Sequence, residues 1–386
     1  MHKQNCRPKI WTKYFNRIAN FFILSLITLG FPTLAYAQVK INTPMIIDTD
    51  MGTDDWLAIA YIAQNQNIDL LGISIVGNGI ASCTNAAHNA QYLLNMSSRN
   101  ANKPIGCGSN WPMDGYASYP KIWRETGANM MGEKIPPMDP NQHYENGPTL
   151  LAKLLRESVL PVDILAIGSM TNIASVISAE PALKRKIKRI YSMGGAVNTG
   201  GNLRVHGFTD DHTNTKAEWN YYIDPVATKK VFESGVPITL VPLDATNKVP
   251  LTKEFIARLN EPKQKPLEAF SFRIFENISK STTNGEYFHW DPLTAAVASN
   301  PEICDKTQKL KLTVVADKGK DMGLKNGQVP EIFPFTNSAG KKRQPLNERS
   351  AGATVPSPNG KVIDVCMHVD AGKFENLFIA TLRSSN

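Results

Sequence analysis

No C-x-x-C pair occurs among the five cysteines, which argues against a dithiol redox centre or a cysteine-held zinc. Also missing is any basic stripe with interleaved aromatics, so nucleic-acid binding finds no support. There is no internal repeat and no Pro/Ser-rich linker, so a single domain is expected. Acid is absent from the first twenty residues, where Lys3, Arg7, Lys9, Lys13 and Arg17 precede the apolar run FFILSLITLGFPTLAYA. A basic start, an apolar centre and small residues at Ala35 and Ala37 describe a secretory signal cleaved after Ala37. An uncleaved membrane anchor is the alternative, but the run is short for a span and is broken by Pro32. Residues 1–37 carry five positive charges and no acid, so the formal net charge of +8 falls to +3 without them. The calculated basicity is therefore mostly a targeting feature. The protein is expected to be exported, periplasmic or secreted, with no stable membrane association after cleavage.

The remaining chain, about 350 residues, can bury a large core. Its cysteines are Cys83, Cys107, Cys304 and Cys366. An even number in an exported chain permits two disulfides, and sequence proximity points to Cys83–Cys107 and Cys304–Cys366. Buried free thiols are the alternative. Short apolar runs alternate with helical patterns: PMIID then DDWLAIAYIAQN, IDLLGISIVGN then TNAAHNAQYLLNM. The same alternation recurs in VDILAIGSMTNIASVISA, IKRIYSMGG and DPVATKKVFESGVPITLVPL. It predicts an α/β fold with an open, mostly parallel central sheet and helices on both faces. In such folds ligands bind beyond the carboxyl ends of the strands. Three stretches interrupt the pattern, at 108–147, 199–217 and 317–360. They read as a lid-like loop, a polar insertion and an elaborated connection before the last strand and helix.

The first strand ends in DTDMGTDD, which places Asp48, Asp50, Asp54 and Asp55 within eight positions. Asp54 or Asp55 alone would read as a helix cap. All four around a Met51–Gly52 turn point to a cation instead, because close carboxylates repel one another and are costly to bury unpartnered. Oxygen donors with no His or Cys nearby select a hard ion such as Ca²⁺ or Mg²⁺. The loop is not an EF-hand, since Gly52 stands where a ligand is required and no Glu closes it. A further carboxylate should come from another helix start, and HWDPLTAA offers Asp291. On its own, an Asp-Pro at a helix start is an ordinary cap.

DTDMGTDD, followed in order by VGN (ending at Asn78), IGSMTNIA (167–174), MGGA (193–196), AEWNYYIDPVA (217–227) and HWDPLTAA (289–296), resembles the nucleoside hydrolase family. VDAGKF near the C-terminus resembles that family's closing segment. The resemblance implies a Ca²⁺-dependent N-ribosyl hydrolase that takes a small-molecule nucleoside. Matched motif by motif, Asp50 would ligate Ca²⁺ and act as base toward the attacking water. Asp55 would be a bidentate ligand, Asp291 a remote one, and Ile167 would supply a main-chain carbonyl. Asp54 would accept a hydrogen bond from a ribose hydroxyl, and Asn78 would help to position water and ribose. Met193, Glu218 and Asn220 match substrate-side positions, the last two at the ribose 5′ end, and Asn202 joins them. Asp48 would support the loop. Read without the resemblance, Asn78 is a turn residue, and Glu218 and Asn220 could be a solvated edge.

Several members with broad or pyrimidine preference have a His immediately before the late aspartate. This chain has Trp290 there and His289 one place earlier. Tryptophan at that position resembles the purine-preferring branch, in which aromatic rings sandwich the base. Trp111 could supply a second ring, or could be ordinary lid packing. Stacking would favour protonation of the purine in place of a dedicated side-chain acid, and His289 would face away. The insertions could form a lid, the interface of a homo-oligomer, or a site for an altered substrate such as nicotinamide riboside. Two rivals are weaker. IIDTDMG resembles the start of haloacid-dehalogenase-type phosphatases, but Gly52 and the lack of a late paired acidic motif disagree. A non-catalytic nucleoside receptor would not need every carboxylate present.

Overall fold

Strand β1 (Thr43–Thr49) is buried from Met45 onward. Its side chains alternate between two cores: Met45 and Ile47 enter one apolar cluster and Ile46 the other. Period-two geometry imposes this on a strand covered from both sides. The computed structural model describes residues 42–113, 119–139, 141–210, 212–282, 287–317 and 349–384. The leader expected at 1–37 and most of the connection at 317–360 lie outside the described residues.

Nine further strands join β1: β2 (Ile68–Ile75), β3 (Ile105–Cys107), β4 (Glu145–Asn146), β5 (Val162–Ile167), β6 (Ile187–Met193), β7 (Ile238–Val241), β8 (Cys304–Val314), β9 (Thr354–Pro356) and β10 (Lys361–Val369). Their order in the sheet is β4-β3-β2-β1-β5-β6-β7-β10-β8-β9. From β4 to β10 the neighbours pair in parallel. The helices Thr53–Gln64, Pro266–Ser281, Trp290–Ser299 and Ala371–Arg383 cover one face. Gly147–Glu157, Thr171–Ala179 and Pro225–Glu233 cover the other. The expected mostly parallel α/β sheet is therefore present. None of the described helices is long and apolar enough to cross a membrane.

One edge departs from the pattern. β8 runs antiparallel to β10, and β9 antiparallel to β8. The hydrophobic pattern did not announce β8, because Lys306, Lys309 and Lys311 interrupt it and much of the strand faces solvent. Lysines on an outlying strand also discourage pairing with another chain. Two disulfides tie the periphery. Cys83–Cys107 joins the start of the helix Cys83–Asn95 to the end of β3, and Cys304–Cys366 staples β8 to β10, with Cα separations of 5.6 and 5.7 Å. The chain leaves β1 toward β2, β3 and β4, then returns to place β5 on the opposite side of β1. The carboxyl ends of β1 and β5 therefore flank a topological switch point, where sheets of this kind open a crevice. Thr49 is paired with Ile167 there.

Truncating the fully buried Ile46 to Ala should destabilise the protein by about 2–5 kcal/mol. Val362 on β10 is 57% exposed, and its truncation should stay within about 0.5 kcal/mol. Urea denaturation midpoints of the two variants test this contrast, and similar losses would contradict the assigned core.

Candidate active site

Three residues separate β1 from the helix Thr53–Gln64, so the chain must turn sharply at Asp50–Met51–Gly52. Met51 takes a left-handed backbone conformation (φ 59°), which costs a non-glycine residue roughly 1–2 kcal/mol. The turn is held from both sides. Met51 N–H donates to Thr49 Oγ1 (3.0 Å), and the buried indole N–H of Trp56 donates to the Met51 carbonyl (3.0 Å). Neighbouring loops close tightly on Asp50 because glycine faces it. A Cβ on Gly79 would lie 2.2 Å from Asp50 Cβ, and one on Gly168 would lie 2.7 Å from Asp50 N.

Asp55, in the first turn of that helix, is fixed by three donors: Thr49 Oγ1, Gly52 N–H (2.9 Å) and Asp50 N–H (3.2 Å). Asp291 arrives from the start of the helix Trp290–Ser299. Carboxylate oxygens of Asp54, Asp55 and Asp291 all lie within 4.8 Å of one another. Asp50 stands beside them, accepting from Gly52 N–H through Oδ1 (3.3 Å). Its Oδ2 is buried without a hydrogen-bond partner, as is Asp291 Oδ1. Burial pushes Asp50 up to about 6. Burial and then the charge of Asp50 raise Asp54 to about 6. Asp55 and Asp291 rise well above the usual carboxylate range, again mainly through burial and then through their acidic neighbours. None of these four has an ion-pair partner among the described residues. An all-oxygen, buried and uncompensated donor set fits a hard divalent cation and does not fit a soft one. Ile167 is fully buried at the end of β5, opposite Thr49.

A second group of polar residues lies at the end of β6 and in the segment that follows. Glu218 caps the helix Trp219–Ile223, accepting from Asn220 N–H (3.0 Å) and Gly195 N–H (3.3 Å). Asn220 Nδ2 donates to the Met193 carbonyl (3.4 Å) and lies 3.5 Å from Met193 Sδ. The half-buried Asn202 accepts from Trp219 N–H through Oδ1 (3.2 Å) and from the Trp219 indole through its carbonyl (3.1 Å). Tyr119 links the two groups. Its hydroxyl donates to Asn220 Oδ1 (2.9 Å) and lies within hydrogen-bonding reach of Asp50. A carboxylate cluster thus stands on one side of Tyr119 and a Glu/Asn pair on the other.

The family model described as inosine-uridine preferring nucleoside hydrolase matches residues 45–376. The chain belongs to that family. With the family comes hydrolysis of the N-glycosidic bond of ribonucleosides. Nucleoside hydrolase 3 of Arabidopsis thaliana is 30% identical over 342 residues, covering 72% of this chain but only 37% of that protein. The pyrimidine-specific ribonucleoside hydrolase RihA of Citrobacter koseri is 32% identical over 267 residues, or 67% of this chain and 80% of the relative. Among solved structures, the inosine-uridine preferring nucleoside hydrolase from Bacillus anthracis superposes with a TM-score of 0.65, at 21% identity, over 88% of this chain and 99% of its own. The purine-preferring ribonucleoside hydrolase from Gardnerella vaginalis gives 0.65 at 23% identity, over 88% and 98%.

Within this nucleoside hydrolase scaffold, other expected residues take supporting positions. Asn78 is fully buried and already engaged: Nδ2 donates to Thr171 Oγ1 (2.8 Å), and Ser169 Oγ donates to its Oδ1 (2.7 Å). Thr171 in turn donates to Asp224 (2.6 Å). Asp48 accepts from Asn172 (3.2 Å), and burial pushes it up to about 7. His289 is wedged between the rings of Phe255, Phe275 and Phe374, with centroids 4.8 to 5.2 Å away, and burial pulls it down to about 3. Trp290 is half-buried against Tyr287 and Phe288. Trp111 is half-buried on the loop after β3, its backbone N–H held by Ser109 Oγ (3.0 Å).

Several participants carried no signal of their own. Ser169, Thr171 and Asn172 sit inside IGSMTNIA, so a search of that motif for side chains as well as its carbonyl would have found them. Tyr119 belongs to an insertion whose sequence does not reveal which way it folds.

Glu218 is pushed up to about 8 by burial, from 4.5. Between those values the unfolded chain binds fewer protons there than the folded one, so this group's contribution to stability declines as pH rises. Glu218→Gln keeps an acceptor for the two N–H groups and should flatten that decline. Melting temperatures of the metal-free proteins across pH 4.5 to 8 test this; parallel profiles would contradict it.

Proposed function

We propose that this chain is a calcium-dependent hydrolase of purine ribonucleosides, with Asp50 as base. The supporting observation is the convergence of Asp54, Asp55 and Asp291 beside the unpartnered Oδ2 of Asp50. Asp50, Asp55 and Asp291, with the Ile167 carbonyl, would hold the ion. When bound, calcium would orient the sugar diol and a water and make that water more acidic. Asp50 has a free oxygen with which to take the water's proton. Asp54 is the most open of the four and is left to accept from a ribose hydroxyl. Asn78, held by Ser169 and Thr171, would help to position water and ribose, while Met193, Asn202, Glu218 and Asn220 receive the rest of the ribose. Developing positive charge on the sugar would be stabilised by the surrounding carboxylates and carbonyls.

The purine preference rests on Trp290, whose face would stack on the base, with Trp111 as a second ring. Relatives carry both preferences in their names, pyrimidine-specific in Citrobacter koseri and purine-preferring in Gardnerella vaginalis. Export is part of the same reading. It is supported by the signal-like residues 1–37 and by the two disulfides, which persist in oxidising compartments.

The test is ribose release by protein lacking residues 1–37. Inosine, adenosine, guanosine, uridine and nicotinamide riboside are supplied in parallel, with and without a calcium chelator. Chelator-sensitive release from the purine nucleosides is expected, and no release from any of them by a folded, calcium-loaded protein would overturn the reading. Asp50→Ala and Asp55→Ala should abolish release while the chain stays folded. Calcium at a hundred times its Kd should stabilise the wild type by about 2.7 kcal/mol, a shift that Asp55→Ala should lose. Trp290→Ala should impair purine nucleosides far more than uridine, and equal losses would refute the stacking role.

A further inference from the structure

Tyr287 belongs to none of the residues assigned above, yet its hydroxyl is buried without a hydrogen-bond partner. Buried phenols almost always find one. The residue is firmly placed. Leu251 N–H donates to the Tyr287 carbonyl (2.8 Å), His289 N–H donates to the Val249 carbonyl (3.0 Å), and Phe288 bridges to Pro250. This short antiparallel clamp fixes the backbone four residues before Asp291. The Tyr287 ring meets Trp290 edge to face, with centroids 4.8 Å apart and planes at 68°. The indole N–H of Trp290 is likewise buried and unpartnered. Burial, and after it the charges of Asp54, Asp291 and Asp55, push the Tyr287 hydroxyl well above its ordinary value, so the side chain lies close to the carboxylate cluster.

Two donors therefore sit beside the reacting centre with nothing to donate to. An indole N–H can only donate, and a protonated phenol does so readily. The missing partner is an acceptor that arrives with the substrate. Ribose hydroxyls have Asp54, Glu218 and Asn220 to meet them, whereas the nucleobase, with its ring nitrogens and carbonyls, has only aromatic faces.

We propose that the Tyr287 hydroxyl donates a hydrogen bond to the leaving base. This deepens the hydrolase reading and rests on it. In the step, the C1′–N bond breaks and its electron pair leaves with the base. The water oxygen bonds to C1′, and the water's proton goes to Asp50. The O–H of Tyr287 stabilises the charge arriving on the base, which leaves neutral once it has taken up the proton held by Asp50. Nucleoside and water thus give ribose and free base, with no other reactant. Such a donor acts in the transition state more than in the ground state, so its removal should lower kcat and leave KM nearly unchanged.

The experiment compares wild type and Tyr287→Phe, both calcium-loaded, on inosine, uridine and p-nitrophenyl riboside. The last substrate expels a phenolate that needs no help to leave. Loss of kcat by about 100-fold on the better nucleoside, with little change on p-nitrophenyl riboside, is expected. Since the removed hydroxyl has no partner in the free protein, Tyr287→Phe should melt no lower than wild type. An unchanged kcat on nucleosides would overturn the proposal, as would equal losses on all three substrates, because Tyr287 would then act through the carboxylates. Failure of the wild type on every substrate would sink the hydrolase reading, and the proposal with it.

Discussion

Buried carboxylates that cannot escape one another dominate this structure. Asp50, Asp54, Asp55 and Asp291 crowd the end of the central strand; burial drives all four toward protonation, and for Asp54, Asp55 and Asp291 the charges of acidic neighbours add to it. Everything nearby is shaped to hold that unfavourable arrangement in place. Met51 accepts a left-handed backbone, Thr49 and two backbone N–H groups clamp Asp55, and Gly79 and Gly168 leave just enough room for two loops to reach Asp50. Asp54 and Asp55 lie in the first turn of one helix and Asp291 in that of another, so both helix dipoles partly offset the charge. A cation would complete what the dipoles begin, and strain kept at such a place belongs to the working of the site.

The sheet topology explains why these groups meet although 241 positions separate Asp50 from Asp291 in the numbering. Parallel strands align their carboxyl ends along one edge, and the reversal of winding between β1 and β5 keeps that edge open at its centre. Polar residues that follow β1, β2, β5 and β6 are thereby delivered to one place. The disulfide between Cys83 and Cys107 ties the end of the loop that carries Asn78 to the end of β3. Two of the insertions meet beside the site. Tyr119 and Trp123 from one pack against Trp219, which follows the other, with Phe208 in contact with Trp123. This aromatic cluster binds the two irregular segments into a rim and aims the Tyr119 hydroxyl inward.

Much of this was legible in the order of residues. The alternation of apolar runs and helical patterns announced a parallel sheet, because only strands buried on both faces lack a polar side. DTDMGTDD announced a crowded acidic site, because four like charges within eight positions are too costly to bury without a shared purpose. Cysteine proximity pointed to the two bridges that form. β8 was not legible, since its lysines erase the hydrophobic period and its place depends on pairing with a strand that comes later in the chain.

Chemistry-bearing residue types and the local turns that present them follow from sequence alone, because capping, turn formation and charge repulsion act over a few residues. Which distant side chains share a pocket was decided only by the tertiary structure. Tyr119 against Asn220, Thr171 against Asn78, His289 turned into a nest of phenylalanines and Tyr287 turned toward the aspartates all depend on packing between elements far apart in the chain. A hydroxyl or an imidazole carries no mark of its direction until the opposing surface exists. That surface is made by burying apolar area from the whole chain at once.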